Sequence, residues 1–175
     1  MRKLGTTIGL IGALTIFAAG CVQHRGQLAI FFTDSAGLQA TTATAQQVAV
    51  EVTQVDVLDA RSGQFVTLFS GSVVHELLGL QLGGALLALG NELEEGDYTQ
   101  IRIRFSEANS SVINLEGRRK DLRIETPEIV VPVLFPVVEN QSIEVALDFD
   151  VDASVRLKAN GEWVLRPVIR QTTDF

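Results

Sequence analysis

Val48, Val50 and Val52 alternate with Ala49, Glu51 and Thr53. Ile143, Val145, Leu147 and Phe149 alternate in the same way with Glu144, Ala146 and Asp148. A period of two puts each set on one face of an extended chain, so these segments bury a single side only as strands. After Val52 the next apolar residues are Val55 and Val57. The parity therefore changes near Gln54, and a bulge there, which inserts one extra residue, restores the inward face.

Similar short segments run along the chain. Gln27–Phe32 reads as a strand, followed by the turn cluster Thr33–Gly37. Asp59–Gly63 is a turn, and Phe65–Phe69 is the returning strand. In the segment after the turn Glu94–Asp97, Tyr98, Gln100, Arg102 and Arg104 are placed on one strand face, with Thr99, Ile101, Ile103 and Phe105 on the other. Two short strands, Ser110–Leu115 and Leu122–Glu125, flank a polar turn. Pro132 and Pro136 confine Ile129–Val138 to a sheet edge, because proline cannot donate to a ladder. Asn160-Gly161 marks a hairpin whose two residues accept positive φ, and Trp163–Arg170 closes the series. Val73–Leu89 differs: its leucines lack β-branching and are interrupted by Gly79, Gly83 and Gly84, which predicts a short helix or a buried loop. About nine strands with regular turns predict an all-β fold, an antiparallel β-sandwich of immunoglobulin or prealbumin-like type with a Leu-rich insertion.

The N-terminus has another pattern. Arg2 and Lys3 precede the mostly apolar run Ile8–Ala19, which ends in Ala18-Ala19-Gly20-Cys21. That run is shorter than the about 20 residues a membrane span needs, and it has the layout of a secretory signal. With a single cysteine in the chain, neither a disulfide within it nor a cysteine-based metal cluster can form. Cys21 at the cleavage site matches a bacterial lipoprotein signal, in which the processed cysteine carries acyl chains such as palmitate. Ala18 stands where Leu is usual, and Val22, in place of Asp, points to the outer membrane. The expected organisation is a lipoprotein signal peptide at 1–20, a lipid-anchored tether at 21–26, a β-sandwich domain at 27–171 and a tail at 172–175. Loss of Arg2 and Lys3 with the leader leaves 12 bases against 21 acids, a formal charge of −9. Such a balance repels phosphate backbones, so nucleic acid is excluded as a partner.

Four segments in order carry a resemblance. They are Gly26-Gln27-Leu28 through Thr33-Asp34, Gly96–Arg102, Leu147–Asp150 followed by Ser154-Val155, and Leu165-Arg166-Pro167-Val168-Ile169. Together they resemble the bacterial lipoprotein family catalogued as domain of unknown function 4382, over Gly26 to Arg170. Ser35-Ala36 stands where that family commonly has Ala-Pro, a difference confined to a turn. The resemblance implies a β-sandwich exported to the envelope and supplies no activity, substrate or catalytic residue.

Motifs for chemistry are few. His24 lies in the tether, and His75 is read as a surface or capping residue. No Gly-x-Ser-x-Gly elbow, His-Glu-x-x-His motif or phosphate loop is present. Asp148, Asp150 and Asp152 fall on one face if the strand continues, and hard cations take several oxygens. An EF-hand would need Gly and Glu where Ala153 and Ala159 stand. The alternative is that these acids pair with bases such as Arg102 and Arg104. Tyr98, Arg102 and Arg104 are the candidate ligand contacts, and Arg118-Arg119-Lys120 reads as a solvated hairpin tip. Trp163 shares its strand face with Leu165 and Ile169, which fits burial. The reading is a non-enzymatic, cofactor-free module held to the membrane by an acyl anchor, with an envelope protein or glycan as partner. Two alternatives stand beside it. A carbohydrate-binding module requires Tyr98 and Trp163 exposed as a stacking platform. A hydrolase requires two carboxylates about 5–9 Å apart in a cleft.

Overall fold

The computed structural model describes residues 24–34, 41, 44–80 and 84–172. The leader, Cys21 and the tether before His24 lie outside them. The strands are β1 (Arg25–Thr33), β2 (Ala45–Asp59), β3 (Phe65–Glu76), β4 (Ala85–Glu94), β5 (Gly96–Asn114), β6 (Arg119–Ile124), β7 (Glu128–Val137), β8 (Ser142–Phe149), β9 (Val155–Leu157), β10 (Trp163–Leu165) and β11 (Ile169–Gln171). One helical turn, α1 (Val151–Ser154), sits between β8 and β9. β1 begins inside the stretch read as tether.

Two sheets form. The first has the order β11-β8-β1-β4, and the second the order β3-β2-β5-β6-β10-β9, with β7 paired to β5. Leu28, Ile30 and Phe32 of β1 and Val145, Leu147 and Phe149 of β8 belong to one buried cluster with the β2 valines and with Ile101, Ile103 and Phe105 of β5. Phe149 meets Phe32 edge-on at 5.3 Å and Phe105 at 6.4 Å, which ties the sheets together. The fold is thus nearly all β and consistent with a sandwich.

The sheets are mixed, which corrects the antiparallel expectation. β1 runs parallel to β8, and β6 parallel to β10. Each pair is joined through strands elsewhere in the fold, and such crossovers, unlike hairpins, return a strand in the same direction. The bulge expected near Gln54 is present, since β2 shifts register between Val52 and Gln54 against both β3 and β5. β7 pairs only with β5 among the described strands, so its prolines lie on an edge strand as expected.

Four other expectations change. The Leu-rich segment is only in part the buried loop: Leu77 and Leu80 are buried in a turn, but Val73–Glu76 ends β3 and Ala85–Glu94 is a strand along β1. The open hydrogen-bonding edge of β1 outweighs leucine's preference for helix. Ser110–Leu115 is not separate, because β5 runs unbroken for 19 residues, with Ser106–Ser111 opposite only Glu51–Ala49 of β2. The last strand splits in two: β10 and β11 lie in different sheets, and Pro167 falls in the crossing. In the β9–β10 hairpin Gly161 takes positive φ (83°) and Asn160 does not. Lys158 N–H donates to Glu162, and the connection is a three-residue one.

Candidate functional site

The outer face of the larger sheet carries a ladder of charged and polar groups. Outward positions on β2 alternate with the buried valines, which places Asp56 and Gln54 beside the outward arginines of β5. The Arg102 guanidinium donates to Asp56 at 2.9 and 2.8 Å and lies 3.9 Å from the centre of the Phe65 ring. Asp56 also accepts from Gln54 at 2.8 Å and Thr67 at 2.6 Å. Arg104 reaches Glu128 on β7 at 2.6 Å and the Gln54 carbonyl at 2.8 Å. The ladder therefore spans β3, β2, β5 and β7.

Asp56 is fully buried. Burial alone would raise its pKa, but hydrogen bonds from Gln54, Thr67 and Arg102 outweigh it and hold the carboxyl below its ordinary value. Arg102 is mostly covered, whereas Arg104 and Glu128 are 41% and 43% exposed. That last pair is the part of the ladder a ligand can reach.

A second acid anchors the long excursion in β5. Glu51 accepts hydrogen bonds from the Ser72 hydroxyl, the Asn109 side chain at 2.8 Å and the Asn109 N–H at 3.2 Å. Ser110 Oγ in turn accepts from Glu51 N–H at 2.9 Å. The hydrogen bonds from Ser72, Asn109 and Ser106 lower the Glu51 pKa from 4.5 to about 2. A lowered folded value means the unfolded chain takes up protons first. The Glu51 contribution is thus complete above pH 4.5 and fades as pH falls toward 2. Glu51→Gln is expected to lower stability at neutral pH by about 1.5–3 kcal/mol, the range for hydrogen bonds to a charged group. It should also flatten the acid limb of the stability profile, as checked by urea unfolding at neutral and acid pH. An unchanged acid limb would contradict this role.

The remaining sequence candidates are placed as follows. Tyr98 is buried and does not share a face with Arg102 and Arg104. A register shift between Tyr98 and Gln100 turns it inward, where it stacks on Phe135 at 5.6 Å and donates to the Glu94 carbonyl at 3.1 Å. Trp163 is buried as well. The stacking platform of the carbohydrate reading is therefore missing. Asp148, Asp150 and Asp152 diverge because the strand ends at Phe149. Asp148 binds Arg170 at 2.9 Å, and Asp150 caps α1 through Ala153 N–H at 2.9 Å. Asp152 accepts from Thr41 N–H at 2.7 Å. The base of Asp148 and Asp150 is Arg170, not Arg102 or Arg104. Among the described residues no three His, Cys, Asp or Glu side chains are grouped to hold a metal ion. His75 is buried in place of the surface position expected. It lies edge-on to Phe32, its Nε2 has no hydrogen-bond partner, and burial lowers its pKa.

One groove of about 400 Å³ is lined by Arg25, Asp59, Arg61, Glu92, Glu94 and Tyr98, among others. Its carboxylates are engaged: Glu92 with Arg25, Glu94 with Arg61 at 2.8 Å, and Asp59 with the Arg61 N–H at 2.9 Å. A wider groove of about 550 Å³ lies between Glu107–Ala108, Lys120–Arg123 and Gly161–Trp163, where Arg123 pairs with Glu162 at 3.2 Å.

Sequence reasoning missed Asp56 and Glu51. The available signal was an acid set between two valines in a half-buried strand, as in Val55-Asp56-Val57 and Val50-Glu51-Val52.

Residues 25–167 match the family model described as Domain of unknown function (DUF4382). No curated protein and no solved structure matches the chain.

Proposed function

Because the chain belongs to the family described as Domain of unknown function (DUF4382), which brings no activity with it, we propose a role from its own residues. It is a lipid-anchored envelope protein, and its non-catalytic sandwich, of the immunoglobulin or prealbumin-like kind, serves as a binding or structural module. The leader at 1–20 is removed, Cys21 is acylated, and Val22 directs the product to the outer membrane. Through its acyl chains the protein belongs to the membrane, and its other partner is a second envelope component.

The observation that carries the reading is the closeness of anchor and fold. β1 starts at Arg25, four residues after Cys21. A chain of four residues reaches at most about 14 Å. The domain is then held against the surface that takes up the acyl chains, where two or more chains are needed for stable anchoring. The ladder's buried acid, Asp56, is committed to hydrogen bonds within the sheet. Arg104 and Glu128 remain as the accessible cation and anion for a partner.

Cys21→Ser tests the anchor. In cells fed an alkyne analogue of palmitate, the wild type is expected to take up label and sediment with membranes. The variant is expected to lose the label and leave the membrane fraction. Equal label in both would overturn the proposal.

A further inference from the structure

The bases of the chain are unevenly used. Beyond the leader, Arg25, Arg61, Arg102, Arg104 and Arg170 each pair with a carboxylate. All the other bases lie in or beside β6, β9 and β10. Arg118, Arg123 and Lys158 are paired there. Arg119, Lys120, Arg156 and Arg166 are exposed and have no ion-pair partner among the described residues. Residues 115–125 and 154–166 together hold seven bases and four acids, a charge of +3, so the rest of the −9 mature chain carries −12.

Register gathers most of these bases on one face. Leu122, Val155, Trp163 and Leu165 belong to the buried core, so the positions that alternate with them face outward. There Val164 is set between Arg123 and Arg156. Arg166 follows in phase with Val164, its N–H bonded to the Ser154 carbonyl. The Glu125 carboxyl is held below its ordinary pKa first by the Lys158 hydrogen bond and then by the charges of Lys158, Arg123 and Arg166, so these bases surround it. The result is a basic stripe across β6, β10 and β9, on the order of 20 Å long and 10 Å wide.

The extent of the stripe limits what it can hold. A long polyanion or an anionic bilayer would also meet the −12 around it, whereas a short acidic segment would not. β9 gives the form of that segment, because it ends the larger sheet and leaves one edge open among the described strands. None of the other edge strands, β3, β4, β7 and β11, carries an unpaired base. Lys158 N–H donates to Glu162, so Arg156 also bonds toward β10, and the Leu157 N–H and C=O point to the open edge. The Leu157 side chain is 48% exposed. Arg156-Leu157-Lys158 thus reads base, apolar, base along an open edge. An added strand reading acid, apolar, acid matches every side chain and takes main-chain hydrogen bonds as well.

We propose that β9 and the stripe beside it bind an extended acidic segment of a partner protein, which adds as an antiparallel strand with its carboxylates nearest Arg156, Lys158 and Arg166. The assignment rests on the binding reading above and not on the anchor.

The test uses the full chain in uncharged detergent and a fluorescein-labelled peptide of alternating Glu and Val, followed by anisotropy. Saturable binding is expected. The double variant Arg156→Glu, Arg166→Glu should weaken it about tenfold or more, and so should a rise from about 50 to 500 mM salt. Arg61→Gln, a base outside the stripe, should leave it unchanged. Methylation of the valine nitrogens, whose N–H groups face Leu157 in the added strand, should abolish binding, and methylation of the glutamate nitrogens should not. Equal effects of the two methylations would leave attraction of charge alone and overturn the strand. Tighter binding of inorganic polyphosphate, or of phosphatidylglycerol vesicles, would put a polyanion or a lipid in place of the partner protein and overturn the proposal. So would no binding of the peptide, or self-association of the protein that Arg156→Glu removes, which marks a second copy as the occupant. Each of these leaves the anchor standing, since the label at Cys21 reads it separately.

Discussion

Phe149→Ala is expected to lower the unfolding free energy by about 3–5 kcal/mol, the range for truncating a buried phenylalanine. Phe149 is fully buried at the end of β8 and touches an aromatic ring from each sheet, Phe32 on β1 and Phe105 on β5. Collapse into the space it leaves is restricted. β8 is hydrogen-bonded to β1 on one side and β11 on the other, and the next residue, Asp150, is fixed as the cap of α1. The loss therefore contains both the transfer of the ring and the cavity left behind. Urea unfolding should give a lower midpoint with an unchanged slope. A loss of under about 1 kcal/mol would mean that the two sheets are not packed through this ring.

Arg102→Met is expected to cost about 3 kcal/mol, because it leaves the Asp56 charge buried without its main partner. The size follows from position: Asp56 is fully buried, and the two side chains share two contacts below 3 Å. The sign with pH is the sharper check. In the wild type the Asp56 pKa is lowered, so its contribution is present above pH 3.8 and declines as pH falls. Without Arg102 the opposing effect of burial gains weight and the Asp56 pKa rises. Protonation then relieves the variant, and its deficit should shrink on acidification. The double variant Asp56→Val, Arg102→Met removes both charges and should recover much of the loss. A deficit that grows toward acid, or a double variant no better than the single one, would contradict the assignment.

Where one face of a strand alone decides the outcome, the sequence was sufficient. The valines of β2, the bulge at Gln54 and the proline-bearing edge strand β7 were all legible as local patterns. What was not legible depends on partners distant in the chain. The parallel pairing of β1 with β8 joins residues more than a hundred positions apart, and nothing in either segment encodes direction. Ala85–Glu94 is a strand only because β1 offers it a ladder. Tyr98 changes face through one irregular residue, which separated it from the arginines with which it had been grouped. The three aspartates after Leu147 looked like one site because alternation was carried past Phe149, where the strand stops. Arg102 and Arg104 were recognisable as outward residues, but their acids, Asp56 and Glu128, come from other strands.

The account rests on acyl chains at Cys21 holding a two-sheet domain to the membrane. The most direct measurement is the mass of the N-terminal tryptic peptide of the protein recovered from the cell envelope. The predicted peptide begins at Cys21, ends at Arg25 and carries the added mass of acyl chains. A mature chain that begins at any other residue, or a Cys21 with an unmodified thiol, would contradict it.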